Sequence, residues 1–272
     1  MRALIVGATG FVGKNLCEFL VKHEIDYDTI NREWNKPQAT SYDIVFYLAG
    51  EVRKQAEMYD AHVKLLYRVL AMSLAWENCI FIYVGSSSEY GRMDRPMKET
   101  DLINPTNLYE ATKGMGTLLC QGFAREFDRP VAIIRPSSVY GKYERPEKFI
   151  PTVIRKIKNH EPVDVYSGSH DWIHVDDVFE AMAVIVQKGD LTGEIYNVSS
   201  EMCWPNRVVV KTINAIMGED CEVITHDEKF HQHDTDCWVV DNSKLRALGW
   251  NREYSFVSGL EKTVREILEI MK

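Results

Sequence analysis

RALIVG, at residues 2–7, is a short continuous apolar run that ends in glycine, the pattern of a strand buried on both faces. GATGFVGKNLCEFLVKHEI follows it, with Phe11, Leu16, Phe19 and Leu20 at helical spacing. YDTIN and DIVFYLAG read as a second and a third strand. VKLLYRVLAMSLAWE reads as a helix and CIFIYVG as a strand. NLYEATKGMGTLLCQGFAREF reads as a helix whose apolar stripe is Leu108, Thr112, Met115, Leu119 and Phe123. VAIIRP is a strand stopped by proline. Strands alternating with helices predict an α/β fold built on a doubly wound parallel sheet. After about residue 140 the pattern loosens into KYERPEKFIPTVIRKIKNHEP and a turn-rich stretch to residue 171. VFEAMAVIVQKG, NRVVVKTINAIMG, KLRALGW and VSGLEKTVREILEIMK then read as helices.

Composition narrows the function classes. The chain has 272 residues, 45% hydrophobic and 26% charged, as expected of an ordinary globular protein. Its net charge of -8 makes it a poor partner for nucleic acid, though a small anionic ligand needs only a local basic pocket. Every apolar run is too short to cross a bilayer, and MRALIVGATG reads as a first strand rather than a secretory segment. The six cysteines (17, 79, 120, 203, 221 and 237) form no CxxC pair. They read as buried free thiols in a reducing, cytoplasmic compartment.

Candidate chemistry begins with GATGFVG, which puts Gly7, Gly10 and Gly13 between the first strand and the first helix. Glycine allows the tight turn and lets backbone N–H groups approach a pyrophosphate, helped by the partial positive charge of the helix N-terminus. A glycine-rich turn alone says little, but here the strand–loop–helix context is present. The second strand ends in Asn31-Arg32, where a carboxylate would hold the ribose hydroxyls of NAD. Arg32 instead suits the 2′-phosphate of NADP; an ordinary solvated arginine beside Glu33 would look the same. Tyr109 and Lys113 lie four residues apart on one helix face. An ammonium and a cationic nicotinamide near that phenol would lower its pKa and suit it to proton transfer. An incidental i,i+4 pair has the same spacing.

Taken in order, GATGFVG, the Ser86-Ser87-Ser88 loop after a strand, YEATK and RPSSVYG resemble the extended short-chain dehydrogenase/reductase family. LAG at 48–50, DWIHVDDV at 171–178, YNVSS at 196–200 and DNSKLRALGW at 241–250 extend the resemblance to about residue 265. It implies a Rossmann-type dinucleotide-binding domain over 1–165, with 171–200 returning to it. A smaller substrate-binding lobe would be drawn from about 140–170 and from 200–272. It also implies action on a nucleotide sugar. In such enzymes Tyr109 donates or accepts the proton, Lys113 tunes it and holds the ribose, and Ser86 orients the sugar C4 oxygen; if the loop is one residue short, Ser87 takes that role. Cofactor contacts would come from Gly7, Gly10, Phe11, Val12, Gly13, Asn31, Arg32, Leu48, Ala49, Gly50 and Pro136.

Dehydratases of the family carry acidic residues directly after this serine; Ser87 and Ser88 stand there. GSSSEYG is similar to the GSSEEYG-type loop of GDP-4-keto-6-deoxymannose reductases. The resemblance therefore implies reduction at C4 with NADP, with a redox-neutral 4-epimerase retaining NAD as the alternative. A non-catalytic NADP-sensing regulator is an alternative of another class. The chain departs from the family in three places. Only about ten residues separate Arg32 from the third strand, so the usual unit near the adenine is abbreviated. His170 and His231 stand where two arginines hold the substrate diphosphate. Ser138 replaces an asparagine. Lys142, Arg145, Lys148 and Lys229 are candidate replacements for the missing charge.

Other clusters read as structural. THDEKFHQHDTDC, at 225–237, holds zinc-ligand residue types, but at no closed-site spacing. Asp177 reads as a helix N-cap and His62 as a structural histidine. Family members pair as homodimers through the helices near 62–76 and 107–127, which makes Leu65, Leu66, Val69 and Leu70 candidate contacts; a core-facing stripe has the same spacing.

Overall fold

The computed structural model describes residues 1–31, 39–229 and 238–272. In chain order these form β1 (Arg2–Val6), α1 (Phe11–Lys22), β2 (Asp26–Ile30), β3 (Ile44–Tyr47), α2 (Gln55–Tyr59), α3 (Leu65–Ser73), β4 (Ile80–Val84), α4 (Leu108–Phe127) and β5 (Val131–Pro136). There follow β6 (Ser138–Tyr140), α5 (Phe149–Lys158), β7 (Val163–Ser167), β8 (Ser169–His174), α6 (Val175–Lys188), β9 (Thr192–Val198), β10 (Cys203–Pro205), α7 (Asn206–Met217), β11 (Val223–Lys229), α8 (Ser243–Ala247) and α9 (Phe256–Ile270). A single π-turn, Asp60–Lys64, joins α2 to α3.

Six strands form a wholly parallel sheet in the order β2-β1-β3-β4-β5-β9. Strand side chains alternate between faces, and helices cover both. Ala3 and Ile5 of β1 pack with Leu16 and Leu20 of α1 and with Val178, Phe179 and Met182 of α6. Leu4 and Val6 point the other way, to Leu66, Val69 and Leu70 of α3 and Cys120 and Phe123 of α4. The continuous apolar runs thus read correctly as strands buried twice over. A separate core joins Ile150 and Ile154 of α5, Val209 and Ile213 of α7, and Leu260 and Val264 of α9. β8 lies between β6 and β10, and β7 pairs with β11.

Five expectations need correction. The stretch read as turns up to residue 171 contains β7 and the first half of β8; Pro162, Asp164, Ser167 and Gly168 are turn-type residues set in and beside these short strands. The α4 stripe is rotated: Leu108 and Met115 are exposed, and the buried face is Thr112, Lys113, Gly116, Thr117 and Cys120. Gly116 lets the Tyr83 hydroxyl approach the helix where a Cβ would collide with it. Leu65, Leu66, Val69 and Leu70 are core residues and present nothing to a partner. The N-cap of α6 is His174, whose ring accepts from the Asp176 amide. Asp177 sits inside the first turn and accepts from the Glu253 and Tyr254 amides. Finally, Cys17, Cys79, Cys120 and Cys221 are free thiols, but Cys203 is disulfide-bonded. Among the described residues, no helix is long and apolar enough to cross a membrane.

The close approach at Gly116 gives a test. Gly116→Ala should cost about 1–3 kcal/mol, because the added methyl must push Tyr83 or the helix aside. Gly122→Ala, on the exposed face of α4 with nothing within 4 Å of the new Cβ, should stabilise by roughly 0.5–1 kcal/mol. Urea unfolding of the two variants checks the contrast.

Candidate active site

The glycine loop shapes one end of the site. Gly7 has φ +98°, and a Cβ there would lie 2.7 Å from the Ala49 nitrogen. A Cβ on Gly13 would strike the Gly7 carbonyl oxygen and come within 2.7 Å of Ala8 Cα. Gly10 donates to the Gly7 carbonyl at 3.1 Å and starts α1 without a side-chain cap. A backbone cradle that only glycine fits therefore meets the N-terminus of a twelve-residue helix. It borders a cavity of about 360 Å³ lined by Gly7, Thr9, Gly10, Asn31, Leu48, Ala49 and Gly50. That combination fits a dinucleotide, whose pyrophosphate takes backbone N–H groups and the positive helix end. Phe11 and Val12 stand half-buried in the first turn of α1, against the sheet core. Pro136 is buried at the end of β5, paired with Val198. Arg32 lies outside the described residues.

At the C-terminal ends of β4 and β5, α4 presents Tyr109 and Lys113. Ser86 hydrogen-bonds the Tyr109 phenol. Lys113 is buried; its Nζ donates to the Val84 carbonyl at 2.8 Å and lies 3.6 Å from where a Gly50 Cβ would be, beside the dinucleotide cavity. Burial lowers its pKa to about 8, against the attraction of Glu89. Burial pushes the Tyr109 phenol up to about 12, only partly offset by the Ser86 hydrogen bond. The expected lowering is thus not produced by the chain's own groups, because desolvation outweighs it. His62, on the π-turn, closes the back of this group. Its Nε2 accepts from the Glu51 amide at 3.0 Å, its Nδ1 meets Thr112 Oγ1 at 2.8 Å, and its ring stands edge-on to Tyr109 at 5.6 Å.

The serine loop is held from below. Ser86 caps a short 3₁₀ turn, Ser87–Tyr90, in a capping box with Glu89. Glu89 accepts from the Ser86 amide at 2.8 Å, from Thr117 Oγ1 at 2.7 Å and from Arg135 Nε at 2.9 Å. Arg135 Nη2 also lies 2.8 Å from that carboxylate as an ion pair, though not aligned as a hydrogen bond. Ser88 Oγ bonds Ser86 Oγ at 2.7 Å, and Trp238 Nε1 donates to Ser87 Oγ at 3.1 Å. Glu89 was legible as S-x-x-E, a capping-box signature that the reading passed over.

A second cavity, of about 720 Å³, opens beside Tyr109. Ser138 and His170 line it, and so do Glu144, Lys148, Lys156, Tyr166 and Asn206. Lys142 faces the other way: its ammonium grips Glu18 of α1 at 2.8 Å. Neither Lys142 nor Arg145 lines this cavity, and the lysines that do are Lys148 and Lys156. Ser87 is buried against Trp238. His231 and the Lys229 side chain lie outside what the structure describes. Tyr166 was missed because the stretch holding β7 was read as turn-rich; Lys156 on α5 and Asn206 at the start of α7 reach the cavity only through the tertiary fold.

Glu144 has a measurable signature. Burial raises its carboxyl to about 8, with Lys148 opposing. A raised folded-state pKa contributes stability that is complete below the unfolded value and disappears as pH rises through the folded one. Asp171 and Asp177, raised to about 6, and His174, lowered to about 4, have largely finished titrating by neutral pH. Between about pH 7 and about pH 9 the wild type should therefore lose stability relative to Glu144→Gln. Chemical denaturation of both proteins at the two pH values reads the difference.

Residues 3–199 match the model of the NAD dependent epimerase/dehydratase family. The chain is 27% identical to the low-salt glycan biosynthesis protein Agl12 of Haloferax volcanii, with 97% of each chain covered. It is 26% identical to the trifunctional UDP-glucose 4,6-dehydratase/UDP-4-keto-6-deoxy-D-glucose 3,5-epimerase/UDP-4-keto-L-rhamnose-reductase RHM2 of Arabidopsis thaliana, over 96% of this chain and 46% of that protein. Among solved structures, the UDP-glucose 4-epimerase of Thermotoga maritima with UDP-glucose has a TM-score of 0.88 at 21% identity, with 100% of both chains covered. The dTDP-glucose 4,6-dehydratase of Bacillus anthracis in complex with NAD has a TM-score of 0.83 at 22% identity, with 99% of this chain and 97% of that one covered. Both share the fold. The family match takes in the glycine loop, the serine loop and the Tyr109–Lys113 helix together, and on that span the chain belongs to the NAD dependent epimerase/dehydratase family of extended short-chain dehydrogenases/reductases.

Proposed function

We propose that the protein is an NAD(P)-dependent oxidoreductase that reduces the C4 ketone of a nucleoside-diphosphate sugar. The observation that carries this reading is the position of Ser86, Tyr109 and Lys113 between two cavities. Tyr109 lines the larger one, and Lys113 Nζ reaches the Gly50 wall of the glycine-loop cavity. When bound, the nicotinamide supplies the hydride and, in its oxidised form, a positive charge that lowers the phenol pKa. Tyr109 keeps its proton at neutral pH, the form needed to protonate an alkoxide formed at C4. The Ser86 hydroxyl holds the phenol and the sugar oxygen in line. Lys113 holds the ribose from the Gly50 side.

Dehydration fits less well, although some relatives carry that activity in their names. It needs an acid and a base beside the ketone, and the two residues after Ser86 are hydroxyls, already bonded to Trp238 and Ser86. Asn31 at the cavity wall, followed by Arg32 in place of a carboxylate, favours NADP. A second reading, redox-neutral 4-epimerisation with retained NAD, draws support from the 4-epimerase that shares the fold over the whole chain. A non-catalytic NADP sensor would have no use for the Ser86–Tyr109 hydrogen bond.

The chain also carries exposed Tyr67 on α3 and exposed Met115 and Leu118 on α4, an apolar face that suits a homodimer. Leu118→Glu should convert such a dimer to monomers by light scattering; a wild type already monomeric at micromolar concentration would refute the pairing.

Reduction predicts NADPH oxidation with 4-keto-6-deoxy nucleotide sugars. Tyr109→Phe should lower kcat by about 10²- to 10⁴-fold while leaving NADPH binding nearly unchanged. Full activity in Tyr109→Phe would remove the proton-transfer role. Tightly retained NAD⁺, released on denaturation and identified by mass, would favour the epimerase.

A further inference from the structure

Among the described residues, three carboxyl residues line the 720 Å³ cavity, and they differ in how they are satisfied. Glu147 pairs with Arg53. Asp164 pairs with Lys156 at 3.1 Å and meets His226 Nε2 at 3.1 Å. Glu144 has neither kind of partner among the described residues: its Oε2 is shielded from solvent and accepts no hydrogen bond from them. A buried polar atom left unpaired costs about 1–3 kcal/mol and is found where something else is meant to satisfy it.

The backbone is arranged to place it there. Gly141 has φ +153° and Tyr143 has φ +66°, a left-handed conformation that costs a non-glycine residue roughly 1–3 kcal/mol. The turn is held from the α1 side. Tyr143 Oη and Lys142 Nζ both bond Glu18, and Asn15 Nδ2 donates to the Lys142 carbonyl at 2.5 Å. With residues 142 and 143 tied to α1, Glu144 turns into the cavity wall.

We propose that Glu144 determines sugar specificity by binding a hydroxyl of the substrate hexose other than the C4 oxygen. The inference rests on the nucleotide-sugar reading above and deepens it. A protonated carboxyl offers one donor and one acceptor, and a sugar hydroxyl offers the complement. The raised carboxyl keeps that proton at neutral pH. A sugar ammonium would instead face the Lys148 ammonium on the same wall. A deoxy carbon at that position would leave Oε2 unpaired, the kind of mismatch that binding sites reject strongly.

Calorimetric titration tests this. The probes are UDP, GDP and dTDP, then UDP-glucose, GDP-mannose and dTDP-glucose, and then monodeoxy analogues of whichever sugar binds, all with NADP⁺ present. Glu144→Leu should weaken the nucleotide sugar by about 10- to 100-fold while leaving the bare diphosphate within about twofold. Glu144→Gln, which also donates and accepts, should recover most of the loss. One deoxy analogue should bind the wild type as weakly as the full sugar binds Glu144→Leu. Equal loss for diphosphate and nucleotide sugar, or no loss at all, would overturn the role of Glu144 and leave the nucleotide-sugar reading standing. A wild type that binds no nucleotide sugar would overturn both.

Discussion

Glu89 is a fully buried carboxylate, and the candidate active site is assembled around it. It receives the Ser86 amide from the loop after β4, the Thr117 hydroxyl from α4 and the Arg135 guanidinium from β5. Removing two charges from water is expensive, and such a pair is tolerated only where geometry and further hydrogen bonds satisfy it. Here they fix three elements at one point. Ser86 hangs from the same carboxylate that Thr117 of α4 donates to, so one group anchors both the serine loop and the helix that carries Tyr109. The guanidinium lies over the Tyr90 ring at 4.4 Å, and the Tyr90 hydroxyl donates to Asn197 Oδ1 at 2.7 Å. Asn197 in turn donates to the Met97 and Asp241 carbonyls, so the platform reaches the segments that close over β9.

That platform carries the helix whose residues reach both cavities. The parallel sheet ends its strands at one edge, where ligands of doubly wound folds bind. The glycine loop and Gly50 shape one side of that edge; the turn after β6 and the strands β7 and β8 shape the other. Tyr109 and Lys113, one helical turn apart, reach one side each. The same burial that positions them shifts their titration in opposite directions, raising the phenol and lowering the ammonium.

Much of this was legible because it is local. The β1–glycine loop–α1 unit is written in consecutive residues, and the Tyr109–Lys113 spacing needs only a helix to become a shared face. The Ser86 role came from resemblance, and its support did not: Glu89 stands three residues on, but its partner Arg135 lies 46 residues away. The same limit hid Glu144, which follows a left-handed Tyr143 tied to α1 and whose shielded Oε2 no local pattern announces. Leu65, Leu66, Val69 and Leu70 had the spacing of either a core or an interface, and periodicity cannot separate the two. β7 was lost because VDVYS is only five residues long and lies between Pro162 and Gly168, so turn-type residues outweighed its short alternation.

The most direct test of the account is the fate of the transferred hydrogen. NADPH deuterated at the transferring position would be incubated with 4-keto-6-deoxy nucleotide sugars and the product sugar examined by mass spectrometry and NMR. A C4 reductase oxidises NADPH stoichiometrically and leaves deuterium at C4, and Tyr109→Phe should lose both. Conversion of a nucleotide sugar without net oxidation of NADPH, or deuterium absent from C4, would contradict C4 reduction.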